Sequence, residues 1–275
     1  MNPRKFPRRF TRAGVPAAPR PVTRVAVVLA AVASIASIAV TSGCSTLHGV
    51  TSPADARAAA QRAARAGSHR PAPDCTVEKC VALTFDGGPG ATTPKLLDIL
   101  AEKKVRATFF VQGKGHTDTY PQTLRRMARN GHEIGNHTWS HKVLTELDAR
   151  QVSDELTPVQ NDVRRITGHA PTLMRPPQGR TDDDVSAVMR ELGLAQVLWS
   201  VTAKDYATTD TALITRRVLD QTKRDGIILL HDRYRGTIPA VPGIVDALRR
   251  RGYVLVTVSE LMAPAVPRPG TVYRP

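Results

Sequence analysis

The 275 residues suffice for one domain of ordinary size with extensions, and at 41% hydrophobic residues the chain can bury a real core. Aromatics are only 4%, so that core must be mostly Val, Leu, Ile and Ala. The net charge of +15 is unevenly placed: seven of the 39 basic residues and none of the 24 acidic ones lie in residues 1–43, which leaves 32 against 24, a net +8. That surplus suits an anionic envelope or an acidic polymer, whereas the lack of a dense basic run with interleaved aromatics argues against nucleic acid.

Residues 1–24 are basic and Pro-rich, and Val25 to Val40 is an uncharged apolar run. The run is too short for a comfortable membrane span and has the length of a signal-peptide core. Thr41-Ser42-Gly43-Cys44 follows, small residues and then a cysteine. Residues 1–43 are therefore expected to be an export signal of lipoprotein type, with Cys44 as the lipidated, membrane-anchored N-terminus; ordinary cleavage nearby is the alternative. The pair Arg8-Arg9 lies far from the apolar core and matches a twin-arginine signal poorly. Residues 44–74 then read as an Ala/Arg/Pro-rich tether, with a spacer helix that opens at Ser52-Pro53 and stops at Gly67. Cys75 and Cys80 bracket the entry to the folded domain, 75–275, and in an exported chain a disulfide between them is expected.

Beyond Cys80 strands and helices alternate. Strands are expected at Val81–Phe85, Ala107–Val111, Glu133–His137, Thr172–Met174, Ala195–Ser200, Gly226–Leu230 and Tyr253–Val258. Helices are expected at Pro94–Lys103, Pro121–Asn130, Ala149–Thr167, Asp182–Leu192, Thr211–Lys223 and Ile238–Arg251. Gly131, Gly168, Gly193 and Gly252 stand where left-handed caps would end four of them. Seven strands joined through helices imply a parallel α/β sheet with right-handed crossovers, either doubly wound or closed into a barrel. No internal repeat and no second folded domain is visible.

In such folds the polar residues just past the carboxyl ends of the strands carry the chemistry. They are Asp86, His137 with His141 four residues on, Arg175, Asp205 and His231. On a helical turn the spacing of His137 and His141 would put both imidazoles on one side, as a metal pair needs; two ordinary surface histidines are the bland alternative. Arg175 precedes two prolines and is expected to hold a carboxylate by a two-pronged bond. His231 follows an apolar run, and a neighbouring acid such as Asp205 would suit it to proton donation. Leu229 or Leu230 is expected to line a small apolar pocket. Tyr206 could stack on a sugar ring, while Trp139 fits the core better.

Five motifs in order carry a resemblance: Thr-Phe-Asp-Gly-Gly-Pro (84–89), Gly-His-Glu-Ile-Gly-Asn-His-Thr-Trp-Ser-His (131–141), Arg-Pro-Pro-Gln-Gly (175–179), Lys-Asp-Tyr (204–206) and Leu-Leu-His-Asp (229–232). From about Val81 to Leu261 the chain resembles the NodB-like polysaccharide deacetylases, carbohydrate esterase family 4. The resemblance implies an irregular (β/α)7 barrel, a single NodB-like domain. It also implies removal of acetyl groups from N-acetyl sugars of peptidoglycan or chitin, or O-acetyl groups of xylan; with the N-terminal signal, an exported enzyme is expected, and a monomer. It matches Asp86 to the catalytic base, His137 and His141 to ligands of a divalent metal (zinc, with cobalt or manganese as alternatives), and Arg175 to the residue that orients the base. Asp205 matches the acid that tunes the catalytic histidine, His231 the general acid, and the backbone N–H of Gln178 an oxyanion donor.

Three positions depart from the family pattern. Gly87 stands where the second Asp of Thr-Phe-Asp-Asp-Gly-Pro would be the third metal ligand; Asp86, a water or a loop residue such as His116 could fill the gap. Gln178 replaces an aromatic. Thr202 and Tyr206 replace an Asp and a Trp, which alters packing on the substrate side.

Overall fold

A computed structural model describes residues 73–275. The expected export signal, Cys44 and the tether up to residue 72 lie outside the described residues. Nine parallel strands form one sheet: β1 (Cys80–Asp86), β2 (Thr108–Val111), β3 (Glu133–Asn136), β4 (Leu173–Met174), β5 (Ala195–Val197), β6 (Val201–Thr202), β7 (Gly226–His231), β8 (Val254–Val256) and β9 (Val272–Tyr273). The order is β6-β7-β1-β2-β3-β4-β5-β9, with β8 also paired to β1. Among the described residues seven α-helices accompany them: α1 (Thr93–Glu102), α2 (Pro121–Arg129), α3 (Ala149–Thr167), α4 (Asp183–Glu191), α5 (Thr211–Gln221), α6 (Thr237–Arg250) and α7 (Val258–Met262). None of the described helices is long and apolar enough to cross a membrane.

The sheet path starts at β6 and runs through β5 to β9, yet β5 and β6 are separated only by residues 198–200. The chain itself therefore bridges the two sides of the sheet, which must curl to allow it. This is the irregular barrel that the family resemblance implies, closed by three residues of covalent chain where a regular barrel would use hydrogen bonds. It also corrects one expectation: Ala195–Ser200 is not one strand. The ladder to β4 ends at Gln196 and that to β9 at Val197, and Val201 begins a new pairing with Ile228 of β7.

Strand β1 shows how composition sets the two sides of the barrel wall. Side chains alternate across a strand. Val81, Leu83 and Phe85 point into the larger core with Leu96, Leu97 and Leu100 of α1 and Ile244, Val245 and Leu248 of α6. Each such buried side chain contributes about 1.5–3 kcal/mol through removal from water. The alternate residue Ala82 packs inside the barrel with Phe110, Ala195, Val197 and Ile227. Thr84 and Asp86 follow it on that face, both buried, so the strand's period of two delivers a carboxylate to the inner mouth.

The helix caps follow sequence logic. Asp148 and Gln151 form a reciprocal capping box at α3. The four glycines expected to end helices all have positive φ. Thr257 and Glu260 form a second capping box and start α7 where the expected last strand ran on to Val258; a Thr followed three residues later by Glu was the signal for it. Cys75 and Cys80 are joined in a disulfide with their Cα atoms 5.4 Å apart.

Candidate active site

A cavity of about 390 Å³ opens at the carboxyl ends of the strands. Asp86, His137, His141, Gln178, Tyr206, Leu229 and His231 line it, so most of the residues singled out from sequence meet there. Arg175 and Asp205 stand behind the wall, each bonded to a lining residue.

Arg175 is fully buried in the barrel. Its Nη1 donates to Asp86 Oδ1 at 2.8 Å and to Thr84 Oγ1 at 2.7 Å, and its Nε donates to the Val197 carbonyl at 3.0 Å. The guanidinium lies 4.2 Å from the Phe110 ring centroid. The grip on Asp86 is thus one-pronged, contrary to the two-pronged expectation, because the main-chain carbonyl at the end of β5 takes the Nε side of the fork. What fixes the pair is the number of partners around it: a buried ion pair is tolerable when its remaining donors are satisfied.

The His137–His141 segment is not helical. Thr138 and His141 adopt left-handed backbone, with φ 68° and 64°. Buried polar side chains hold the loop. Asn136 accepts from the Thr138 N–H at 2.8 Å, and the Glu155 carboxylate accepts from both the N–H and the hydroxyl of Ser140. The two imidazoles come together with centroids 4.9 Å apart. Their proximity is therefore a property of an anchored loop and not of helical spacing. His137 Nδ1–H donates to the Arg175 carbonyl at 2.7 Å, which leaves Nε2 on the side of Asp86, 3.9 Å from its Oδ2. Burial drives the His137 pKa down to about 4 against the opposing pull of Asp86, and burial followed by Arg233 lowers that of His141.

Across the cavity, His231 Nδ1 donates to Asp205 Oδ1 at 2.9 Å. Asp205 Oδ2 accepts from the His231 N–H at 2.8 Å and from the Thr237 hydroxyl at 2.7 Å. A carboxylate held at three points fixes the ring, and Nε2 is left for the cavity. Tyr206 and Tyr234 stand edge-on to this ring at 6.1 and 5.2 Å. Next in sequence, Asp232 is fully buried. It ties the end of β7 to the start of α1: its Oδ2 accepts from Thr93 Oγ1 at 2.6 Å, and a Cβ on Gly88, just past β1, would lie 2.0 Å from that oxygen. Burial pushes the Asp232 carboxyl up to about 6.

Metal-ligating histidines need a fixed tautomer and an unprotonated nitrogen. His137 has both, and His141 stands beside it, so these residues fit a divalent cation through two imidazoles. They do not supply a third protein ligand: no group of three His, Cys, Asp or Glu suited to a metal occurs among the described residues. His116 does not fill the gap, since its Nδ1 sits 2.9 Å from the Pro89 carbonyl oxygen and the residue does not line the cavity. At Gly87, whose φ is 82°, a Cβ would meet Arg233 Cζ at 3.4 Å. A guanidinium thus packs where a carboxylate ligand would project.

Sequence reasoning gave no role to Arg233, Tyr234, Trp199 or Pro176, all of which line the cavity. A missing side chain at Gly87 was the one hint that a long neighbour could lean in. Leu230 belongs to the core, and Leu229 is the lining residue of that pair. Trp139 packs against the core, over Gly113.

The sequence profile described as polysaccharide deacetylase matches residues 74–197. A chitooligosaccharide deacetylase of Bradyrhizobium is 35% identical over 68% of this chain and 93% of its own length. The chain belongs to the polysaccharide deacetylase family. Its homologues are polysaccharide N-deacetylases, hydrolases of non-peptide carbon–nitrogen bonds, and the family is generally dependent on a divalent metal. The peptidoglycan-N-acetylmuramic acid deacetylase PdaC of Bacillus subtilis is 40% identical over 67% of this chain, which spans 39% of that protein's length. A solved structure, a T48 deacetylase with substrate, superposes with a TM-score of 0.70 at 40% identity, over 74% of this chain and all of its own.

Proposed function

We propose that this chain is a glycan N-deacetylase that hydrolyses the acetamido group of a cell-wall amino sugar to acetate and a free amine. One observation carries the reading: a buried carboxylate, Asp86, and an imidazole, His231, line the same cavity, each oriented by its own charged partner. This is the equipment for removing a proton from an attacking water and giving one to a leaving amine.

Asp86, turned by Arg175, takes the proton of the water that attacks the acetyl carbonyl. The backbone N–H of Gln178 stabilises the tetrahedral oxyanion. His231 Nε2, with its ring held by Asp205, hands a proton to the amide nitrogen, without which an amine leaves poorly. Leu229 faces the acetyl methyl, and Tyr206 stacks on the sugar. A divalent cation on His137 and His141, zinc first and cobalt or manganese after it, supplies a Lewis acid for the carbonyl and a lower pKa for water when bound.

The export signal over residues 1–43, lipidation of Cys44, the tether to residue 74 and the catalytic domain over 75–275 complete the proposal. The enzyme is a monomer on the outer face of the cytoplasmic membrane or in the wall, with a glycan and no nucleic acid as partner. Acetate release from peptidoglycan and chitooligosaccharides, with added zinc or cobalt, tests it; no acetate from either overturns it.

Gly87 favours a second reading, a glycan-binding protein of weak or lost catalysis. Purified protein that holds no metal and binds glycan without turnover would select it. A third, an O-acetyl esterase on xylan-type polymers, is selected by release from an aryl acetate with none from any acetamide.

A further inference from the structure

The positive charge at Gly87 has no ion-pair partner among the described residues, although the buried carboxyl of Asp232, next in sequence, feels it. Arg233 makes no hydrogen bond and no ion pair with any described residue; its guanidinium lies 5.4 Å from the Tyr234 ring centroid. Its guanidinium approaches the Gly87 Cβ position through Cζ, Nε and Nη1 at 3.4, 3.5 and 3.7 Å. The two carboxylates nearest the chemistry are already engaged, Asp86 by Arg175 at 2.8 Å and Asp205 by His231 at 2.9 Å. Arg233 shares the cavity wall with His137, His141, Asp86 and His231. A cation on the imidazoles would add to this excess and not offset it.

We infer that Arg233 is a specificity residue that receives a carboxylate of the substrate. The inference rests on the N-deacetylase reading and names its substrate class: an N-acetyl amino sugar that carries a free carboxylate on the ring carbon next to the acetamido carbon. The 3-O-lactyl group of N-acetylmuramic acid is such a group, and N-acetylglucosamine lacks it. With the acetamide between Asp86 and His231, the substituent on the adjacent carbon falls on the neighbouring wall. A guanidinium there can bind a carboxylate with two parallel N–H donors. Because Gly87 has no side chain, no carboxylate projects from that position to compete for it, and Asp232 is buried and bonded to Thr93.

The test compares three saccharides of one length: alternating N-acetylglucosamine and N-acetylmuramic acid with free lactyl carboxyls, the same saccharide with those carboxyls amidated, and a chitooligosaccharide. Wild-type kcat/KM should favour the free acid over its amide by about tenfold, the worth of a charge-assisted bond. In Arg233→Ala the ratio should fall toward one through a rise in KM for the acid, and Arg233→Lys should restore part of it. Equal kcat/KM for acid and amide in the wild type, or a ratio unchanged in Arg233→Ala, overturns the proposal. Calorimetry with the de-N-acetylated forms, which the reaction cannot consume, gives the same comparison without turnover. If no saccharide releases acetate, the deacetylase reading fails, yet binding of acid over amide that disappears in Arg233→Ala still upholds Arg233 as a carboxylate receptor. Binding that ignores the carboxyl, or the substitution, overturns it.

Discussion

Two arginines stand on the same cavity and are built in opposite ways. Arg175 is sealed inside the barrel, with its charge matched by Asp86 and its other donors spent on Thr84 and main-chain carbonyls. Arg233 is exposed at the rim, unpaired among the described residues, and leans over a glycine. The first is a part of the fold that happens to serve chemistry; the second is free to meet whatever enters. The difference separates what must be constant for any hydrolysis from what can vary with the substrate.

Breaking the sealed side should have the largest effect. Arg175→Met leaves Asp86 as an uncompensated buried charge, and denaturation in urea should show a loss of about 3–5 kcal/mol together with loss of acetate release. Arg233→Met should change urea stability by less than about 0.5 kcal/mol, as an exposed side chain with no partner does. A rim substitution as costly as the interior one would erase the distinction.

The proton donor gives the next effect. Asp205→Asn keeps the size of the side chain but weakens its hold on His231. The expected outcome is a fall in kcat by about a hundredfold, at the lower end of a general acid's contribution, with KM little changed. A matched rise in KM would instead assign Asp205 to substrate binding.

The sealed interior also predicts a pH limb. His132 is buried at the start of β3's side of the barrel, where its Nδ1 accepts from the Ala107 N–H at 3.2 Å. Burial first, then Arg106 and Arg126, lower its pKa from 6.5 to about 4. Between those values the unfolded chain binds the proton that the folded one refuses. Stability from this group is therefore complete above pH 6.5 and lost as pH falls toward 4, by about 3 kcal/mol. Urea midpoints at pH 7 and pH 4.5 for wild type and His132→Gln should show the smaller acid loss in the variant.

How much of this was legible in the sequence follows the same division. Asp86 could be found because an apolar run broken by Gly-Gly-Pro puts its last residue at a strand mouth. Arg175 and His231 could be found by the same rule at two other strands. The geometry of His137 and His141 could not, since it depends on Asn136 and Glu155 holding a loop with two left-handed residues, which no spacing rule describes. The break between β5 and β6 was hidden because Leu198 and Trp199 continue an apolar run across the point where the chain changes partners. Arg233 was invisible for a deeper reason. An arginine at the surface is ordinary, and it acquires meaning only through the absence of a side chain at Gly87, 146 positions away in the sequence.

The pairing of those two residues gives the last and smallest expected effect. Restoring the family's carboxylate with Gly87→Asp is the direct route to a third metal ligand. Position 87 has φ 82°, a conformation that Asp tolerates better than most residues. The new carboxylate, however, would emerge against Arg233 Cζ and form an ion pair with it. Zinc affinity measured by calorimetry should therefore rise by only about threefold in Gly87→Asp, since an exposed pair competes with the metal by no more than about 1 kcal/mol and offsets most of the gain. It should rise further in Gly87→Asp combined with Arg233→Ala. The single variant should also reproduce the loss of carboxylate preference expected of Arg233→Ala, although Arg233 itself is untouched. If Gly87→Asp alone reaches the affinity of the double variant, Arg233 does not hold the ligand position, and the rim is as indifferent to charge as an ordinary surface.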